Sequence, residues 1–274
     1  MNKKKSNPGI EYGSYHHEGM EIRYSVKRGK GRPLLIFNGI GQNVEVLEPL
    51  YQHLPDIEVI IYDVPGTGLS DTPIFPWSYR RHARLAASLV RSLGYGQVDV
   101  MGISWGACLA QQFARQHRDI TQRLILAAAP MGNLMVPGKP GALLRMANPR
   151  RFWDKSYMRS VAGEIYGGAL RSKPELLQDY EDRIRVPNQR GYLYQMLAMV
   201  GWASLPWLRG LPQDTLILQG TDDPLIRNIN IKVMAALIPN ARVFLVECGH
   251  MFLLTQTTKV MTEVRNFVRP FSSV

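Results

Sequence analysis

The sequence predicts a single α/β domain on a mostly parallel central sheet, with helices on both faces and a helical segment inserted before the last strands. Three observations point there. Short apolar, β-branched runs alternate with longer amphipathic stretches through the first half of the chain. That rhythm breaks between Pro130 and about Arg209 and then resumes. At 274 residues, 45% of them hydrophobic, the chain can bury one full core with an insertion, which suits it better than two independent domains.

Taken in order, the strand-like runs are Glu21–Val26, Pro33–Phe37, Val59–Tyr62, Gln97–Met101 and Arg123–Ala127. Most stretches between them read as helices, notably Tyr79–Leu93 and Trp105–His117. Such alternation implies parallel strands joined by crossover helices. Thr215–Gln219 and Arg242–Glu247 form a later strand set, closed by a helix near Lys259–Val268. The intervening segment clusters prolines and glycines (MVPGKPGALL), carries three of the five tryptophans and includes the Met-rich run YLYQMLAMVGW. It reads as helices joined by turns, with no run that would extend the sheet. The expected organisation is therefore a core of residues 1–129 and 210–274, with 130–209 lying over one end of the sheet as a helical cap.

Composition narrows the function classes. The formal charge of +11 suits an anionic partner, but the basic residues are scattered and no nucleic-acid module accompanies them, so general solubility is the favoured reading and nucleic acid is not expected. Two cysteines, Cys108 and Cys248, make no disulfide framework and fit a reducing compartment. The N-terminal MNKKKSNPGIEYGSYHH has lysines without an apolar run behind them, unlike an ordinary secretory signal. No stretch approaches the ~18 apolar residues of a membrane span. A cytoplasmic protein is expected.

The chemistry centres on Gly102-Ile103-Ser104-Trp105-Gly106, where a strand (VDVM) meets a helix (WGACLAQQFARQH). A sharp turn there lifts the serine off the strand end, and side chains two residues to either side would collide with neighbouring backbone. It also sets the Trp105 amide at a helix start, where it can donate to a developing oxyanion. A serine needs a base. In this architecture the base follows the nucleophile in the chain, which leaves His117 and His250 of the six histidines. His117 lies 13 residues along the same helix, roughly 20 Å from Ser104, so His250, in the loop after a strand, is the candidate. An acid must fix its tautomer. Gln219-Gly220-Thr221-Asp222-Asp223-Pro224 offers two, of which Asp223 has the favoured spacing and Asp222 suits a turn hydrogen bond; Asp154 and Glu164 lie in the insertion. The loop Asn38-Gly39-Ile40-Gly41 should supply a second oxyanion donor, the Ile40 amide, with Asn38 ordering the loop. Asp63-Val64-Pro65-Gly66-Thr67-Gly68-Leu69-Ser70-Asp71 lacks a P-loop lysine and reads as a structural turn. His16, His17, His53 and His82 show no metal-ligand spacing, so neither metal nor cofactor is expected.

These residues place the chain with the α/β-hydrolases, and a narrower resemblance follows. GISWG–CLAQQFA, FNGIG, VPGKP, RMANPRRF, IYGG, GWASLPWL, DDPLI and GHMFL resemble the intracellular poly(3-hydroxyalkanoate) depolymerases of the medium-chain-length type, from roughly Gly13 to Phe267 and through the cap. Ala107-Cys108 departs from the Gly-Ala expected on the nucleophile helix; Cys108 reads as a small packing residue. The resemblance implies a serine esterase with Ser104, Asp223 and His250 as triad, acting on a storage polyester in cytoplasmic granules, with granule-associated proteins as further partners. The alternatives on the same fold are a small-molecule carboxylesterase, a C–C hydrolase or a perhydrolase. From another class comes a non-catalytic granule-surface or ligand-binding protein.

Overall fold

The computed structural model describes residues 9–269. The N-terminal lysines weighed against a secretory signal lie outside them. Eight strands form one sheet: β1 (Ile10–His17), β2 (Met20–Lys27), β3 (Lys30–Phe37), β4 (Ile57–Tyr62), β5 (Val98–Ile103), β6 (Thr121–Ala127), β7 (Asp214–Gly220) and β8 (Ala241–Val246). Their spatial order is β1-β2-β4-β3-β5-β6-β7-β8, parallel from β4 to β8 and antiparallel across β1-β2 and β2-β4. The inner strands are apolar throughout because both faces are covered: every residue of β4 is buried. On one face pack α1 (Tyr79–Ser92), α2 (Trp105–Gln116) and α7 (Asn228–Leu237); on the other lie α8 (Phe252–Thr255), α9 (Thr257–Val268) and the 3-10 turns of Val44–His53.

Two elements depart from the sequence reading. Strand β1 falls in a stretch read only for its lack of a signal. Its alternate exposed residues make it a polar edge strand, and a two-residue turn at Glu18-Gly19, both at positive φ, joins it to β2. That turn geometry is the hairpin-compatible one, but Glu-Gly is a weaker signal for it than Asn-Gly. The stretch between β3 and β4 forms only 3-10 turns, with Pro49 near the start of one, in place of a crossover helix.

Between β6 and β7 the chain leaves the sheet for α3 (Pro140–Ala147), α4 (Lys155–Tyr166), α5 (Gln178–Arg183) and α6 (Gln189–Met199), linked by further 3-10 turns. An isolated bridge, Gly132 to Ala203, ties the two ends of this insertion together. No helix of the described residues is long and apolar enough to cross a membrane.

Parallel β3 and β5 are the neighbours at which the chain reverses its direction across the sheet: it passes from β3 to β4 on one side and returns to β5 on the other. A crevice opens at such a switch point beyond the strands' C-terminal ends. Loops 38–42 and 102–106 meet there.

Candidate active site

Ser104 sits between β5 and α2 at φ 53°, ψ −114°, a conformation that non-glycine residues avoid and that persists only where the surroundings enforce it. Its own amide is held by Ala127 O of β6 at 2.9 Å. A Cβ on Gly102 would collide with Gly106 O and Ala107, and one on Gly106 with the carbonyls of Phe37 and Asn38. The turn is this tight because α2 starts directly against the end of β3.

His250 enters from the loop after β8. Its Nε2 lies 3.0 Å from Ser104 Oγ and its Nδ1 2.7 Å from Asp223 Oδ2. Three side chains distant in sequence thus form one hydrogen-bonded chain, with the imidazole and the carboxylate both buried. Asp223 Oδ1 accepts from the Leu225 and Ile226 amides at 2.8 and 3.0 Å, and Gln219 Nε2 reaches Oδ2 at 3.3 Å. These donors leave the carboxylate one free direction, toward the histidine.

Asp222 points the other way. It accepts from Arg171 at 2.9 and 3.0 Å and from the Gly168 amide at 2.8 Å, and the Arg171 hydrogen bonds hold its carboxyl below the ordinary value. Asp154 caps α4 through the Tyr157 amide, and Glu164 pairs with Arg145. His117 closes the far end of α2, where burial lowers its basicity.

Ile40 lines the same cleft as Ser104, Trp105 follows Ser104 at the start of α2, and neither amide donates a hydrogen bond among the described residues. Asn38 orders the intervening loop: its Nδ2 donates to Asn43 O at 2.8 Å and its Oδ1 accepts from the Gly39 amide at 3.0 Å. The Asp63–Asp71 run is a turn closed on its own carboxylate, with Asp63 accepting from the Val44 and Leu69 amides at 2.8 and 2.9 Å. Cys108 is buried, with burial pushing its thiol up to about 12, so it is not poised to react.

Ser104 and His250 open on a cleft of about 800 Å³, its solvent mouth included. It is lined by the apolar Val46, Leu47, Leu50, Leu253 and Leu254 of the core and by Arg151, Tyr166 and Tyr180 of the insertion. Sequence reasoning missed this second group and Gln195, which receives the Gly41 amide on Oε1 at 2.7 Å and the Trp105 indole on its carbonyl at 2.8 Å. It missed too that Tyr166 O accepts the His250 amide at 2.6 Å while the Tyr166 ring stacks on the imidazole. No local pattern assigns such residues a role: Tyr166 and Gln195 act on partners 84 or more positions away, and Arg151 shows its character only through its burial in the cleft. Chemically, the arrangement suits a hydroxyl that loses its proton to an imidazole whose tautomer a buried carboxylate fixes.

The profile of the family described as α/β hydrolase fold matches residues 32–257. The poly(3-hydroxyalkanoate) depolymerase of Ectopseudomonas oleovorans is 44% identical over 255 residues, 92% of this chain and 90% of that one. The 2-hydroxymuconate semialdehyde hydrolase of Pseudomonas putida is 26% identical, covering 88% of each chain. Among solved structures, an enol-lactonase from Burkholderia xenovorans superposes with a TM-score of 0.80 over 93% of this chain and 99% of that one; at 19% identity it speaks for the fold alone.

Proposed function

This chain belongs to the α/β hydrolase family and, within it, to the poly(3-hydroxyalkanoate) depolymerases, and from that premise we propose that it hydrolyses a medium-chain-length storage polyester through an acyl-enzyme on Ser104. The observation that carries the reading is the hydrogen-bonded chain from Ser104 through His250 to Asp223, opening on an apolar cleft. Ser104 Oγ attacks the ester carbonyl while His250 Nε2 takes its proton, and the Ile40 and Trp105 amides hold the oxyanion. The imidazolium, stabilised by Asp223, gives that proton to the departing 3-hydroxyl group. Water, deprotonated by His250, then cleaves the acyl-enzyme and frees a hydroxy acid or oligomer.

The insertion acts in this reading as a cap, its helices excluding water from the acyl-enzyme. The exposed Ile74, Phe75, Leu193, Leu197 and Val200 provide apolar surface for a granule in the cytoplasm. The aliphatic residues lining the cleft support a substrate with alkyl side chains.

The test is incubation of the protein and its Ser104→Ala variant with amorphous medium- and short-chain polyester granules, followed by product analysis. The expected result is release of hydroxy acids from medium-chain granules by the parent protein alone. Hydrolysis of short soluble esters with intact granules would move the assignment to a small-molecule esterase. Failure of Ser104 to react with a fluorophosphonate would move it to a binding protein.

A further inference from the structure

The cap carries a charge that the chemistry at Ser104 does not use. Arg151, in the 3-10 turn before α4, is 5% exposed and lines the same cleft as Ser104 and His250. Among the described residues no carboxylate lies within 4.0 Å of its guanidinium; its one hydrogen bond runs from Nη2 to Tyr192 Oη at 3.1 Å. Its Nε is buried with no acceptor at all. The Phe152 ring, 4.0 Å from Cζ, covers one face of the guanidinium, and the Tyr192 ring lies 5.5 Å away. Tyr192 in turn donates to Met146 O at 2.8 Å, which fixes its oxygen as the acceptor for Arg151.

A guanidinium has five donors and stays charged in proteins. Burying it with one neutral acceptor leaves most of its desolvation uncompensated. Such a group is paired in the working state by something that enters the cleft, and the planar fork fits a carboxylate best. Tyr166 and Tyr180, both close enough to Arg151 to feel its charge, line the same cavity, together with the aliphatic Val46, Leu47, Leu50, Leu253 and Leu254. The complementary ligand has a carboxylate at one end, an oxygen function near Ser104 and a hydrocarbon arm.

Resting on the polyester reading above, we propose that Arg151 binds the free carboxylate of the polymer's acid end and makes that end the preferred point of attack. With the carboxylate on Arg151, the neighbouring ester faces Ser104. Attack on that ester's carbonyl breaks its bond to the terminal unit, which leaves as a 3-hydroxy acid carrying the proton from His250. The body of the chain is then the acyl group on Ser104, and water restores it with a new carboxylate end.

Calorimetric titration of Ser104→Ala protein with 3-hydroxyoctanoate and with its methyl ester tests the binding half. The acid should bind at least about tenfold more tightly than the ester, as one charge-assisted pair implies. Adding Arg151→Met should bring the two within about twofold, and Arg151→Lys should restore part of the preference. Retained ester affinity in the Met variant reports an intact cavity. Equal binding of acid and ester beside Arg151, or a preference that survives Arg151→Met, overturns the proposal. If the Met variant fails to fold, the comparison of acid and ester on the Arg151 protein still decides it. The active enzyme supplies the second arm, turnover of the 3-hydroxyoctanoate dimer as free acid and as methyl ester, with the acid favoured about tenfold or more in kcat/KM. Cleavage of both dimers at equal rates sinks the carboxylate site and leaves the polyester reading standing. Cleavage of neither, with the binding preference intact, sinks the polyester reading and leaves the site.

Discussion

The sheet and the insertion are built by different rules. In the sheet, neighbouring strands satisfy one another's backbone and buried apolar runs set the register, so the framework is local pattern made three-dimensional. The insertion has short helices and frequent 3-10 turns, and leaves Leu144, Val186 and Val200 exposed. It is pinned to the core at several places, some of them at the site loops. Gln195 holds the Gly41 amide and Trp105, Tyr166 O holds the His250 amide, and Arg171 with Gly168 holds Asp222. A part built of short helices and turns thus braces the loops where chemistry needs fixed geometry. The division this suggests is that the core carries the reaction and the insertion selects what reaches it.

The sharpest way to break that division is to remove chemistry from the core. Ser104→Ala should cost about 10⁴-fold or more in kcat, and Asp223→Asn about 10⁴-fold by presenting the wrong histidine tautomer. Neither should lower the melting temperature by more than a few degrees. Asp222→Asn, one residue away, should cost less than about tenfold, because that carboxylate faces Arg171 and the insertion instead of His250. Esterase assays on a soluble nitrophenyl ester decide it. Comparable losses at 222 and 223 would mean the acid has been assigned to the wrong side chain.

The same contrast explains what could be read from the amino-acid sequence. The strands β3 to β8, the helices α1 and α2, and Ser104, Asp223 and His250 as neighbours were legible, because Gly102 and Gly106 advertise a crowded turn and chain order restricts the base. Strand β1 was not, since a polar edge strand shows no buried face. Arg151, Tyr166 and Gln195 were not, because their meaning lies in partners supplied by distant loops. Arg151 in particular looks like any residue of a basic stretch until its burial and its missing counter-ion are seen.

A smaller effect is expected where the two regions are pinned together. Glu45, in the loop after β3, receives Arg23 of β2 at 3.1 Å and Arg185 of the insertion at 2.8 Å. Burial alone would raise its carboxyl, but the hydrogen bonds from Arg185, Arg23 and Asn43 outweigh it and hold it down to about 2. A carboxylate depressed on folding stabilises the native state fully above its ordinary value of 4.5, and the contribution drains away as pH falls toward about 2. Glu45→Gln should therefore cost about 2 kcal/mol at pH 7, less than a fully buried pair because Arg185 is 37% exposed. Thermal melts of parent and variant should differ most at neutral pH and converge as pH falls from 4.5 toward about 2. A difference independent of pH would mean that packing, and not the charge, joins insertion to core.

The smallest effect is the most selective, and it asks whether the insertion chooses the substrate by its outer surface as well as its inner one. Leu193, Leu197 and Val200 recur at helical spacing on one side of α6 and just beyond it, all exposed. Tyr194 reaches from the same helix to Ile74 O at 2.7 Å, which sets Ile74 and Phe75, 77% and 72% exposed, beside that face. Ile74, Phe75 and Val200, more than two-thirds exposed, contribute little to folding by burial, but on a hydrophobic granule each would remove its surface from water at about 25 cal/mol per Å². Replacing Ile74, Phe75 and Val200 together by serine should lower granule turnover about tenfold at limiting enzyme. The soluble ester should be hydrolysed within about twofold of the parent rate, because none of the three lines the cleft. Equal loss on both substrates would trace the effect to the cap's own stability, and no loss on either would leave the granule to be met by another face.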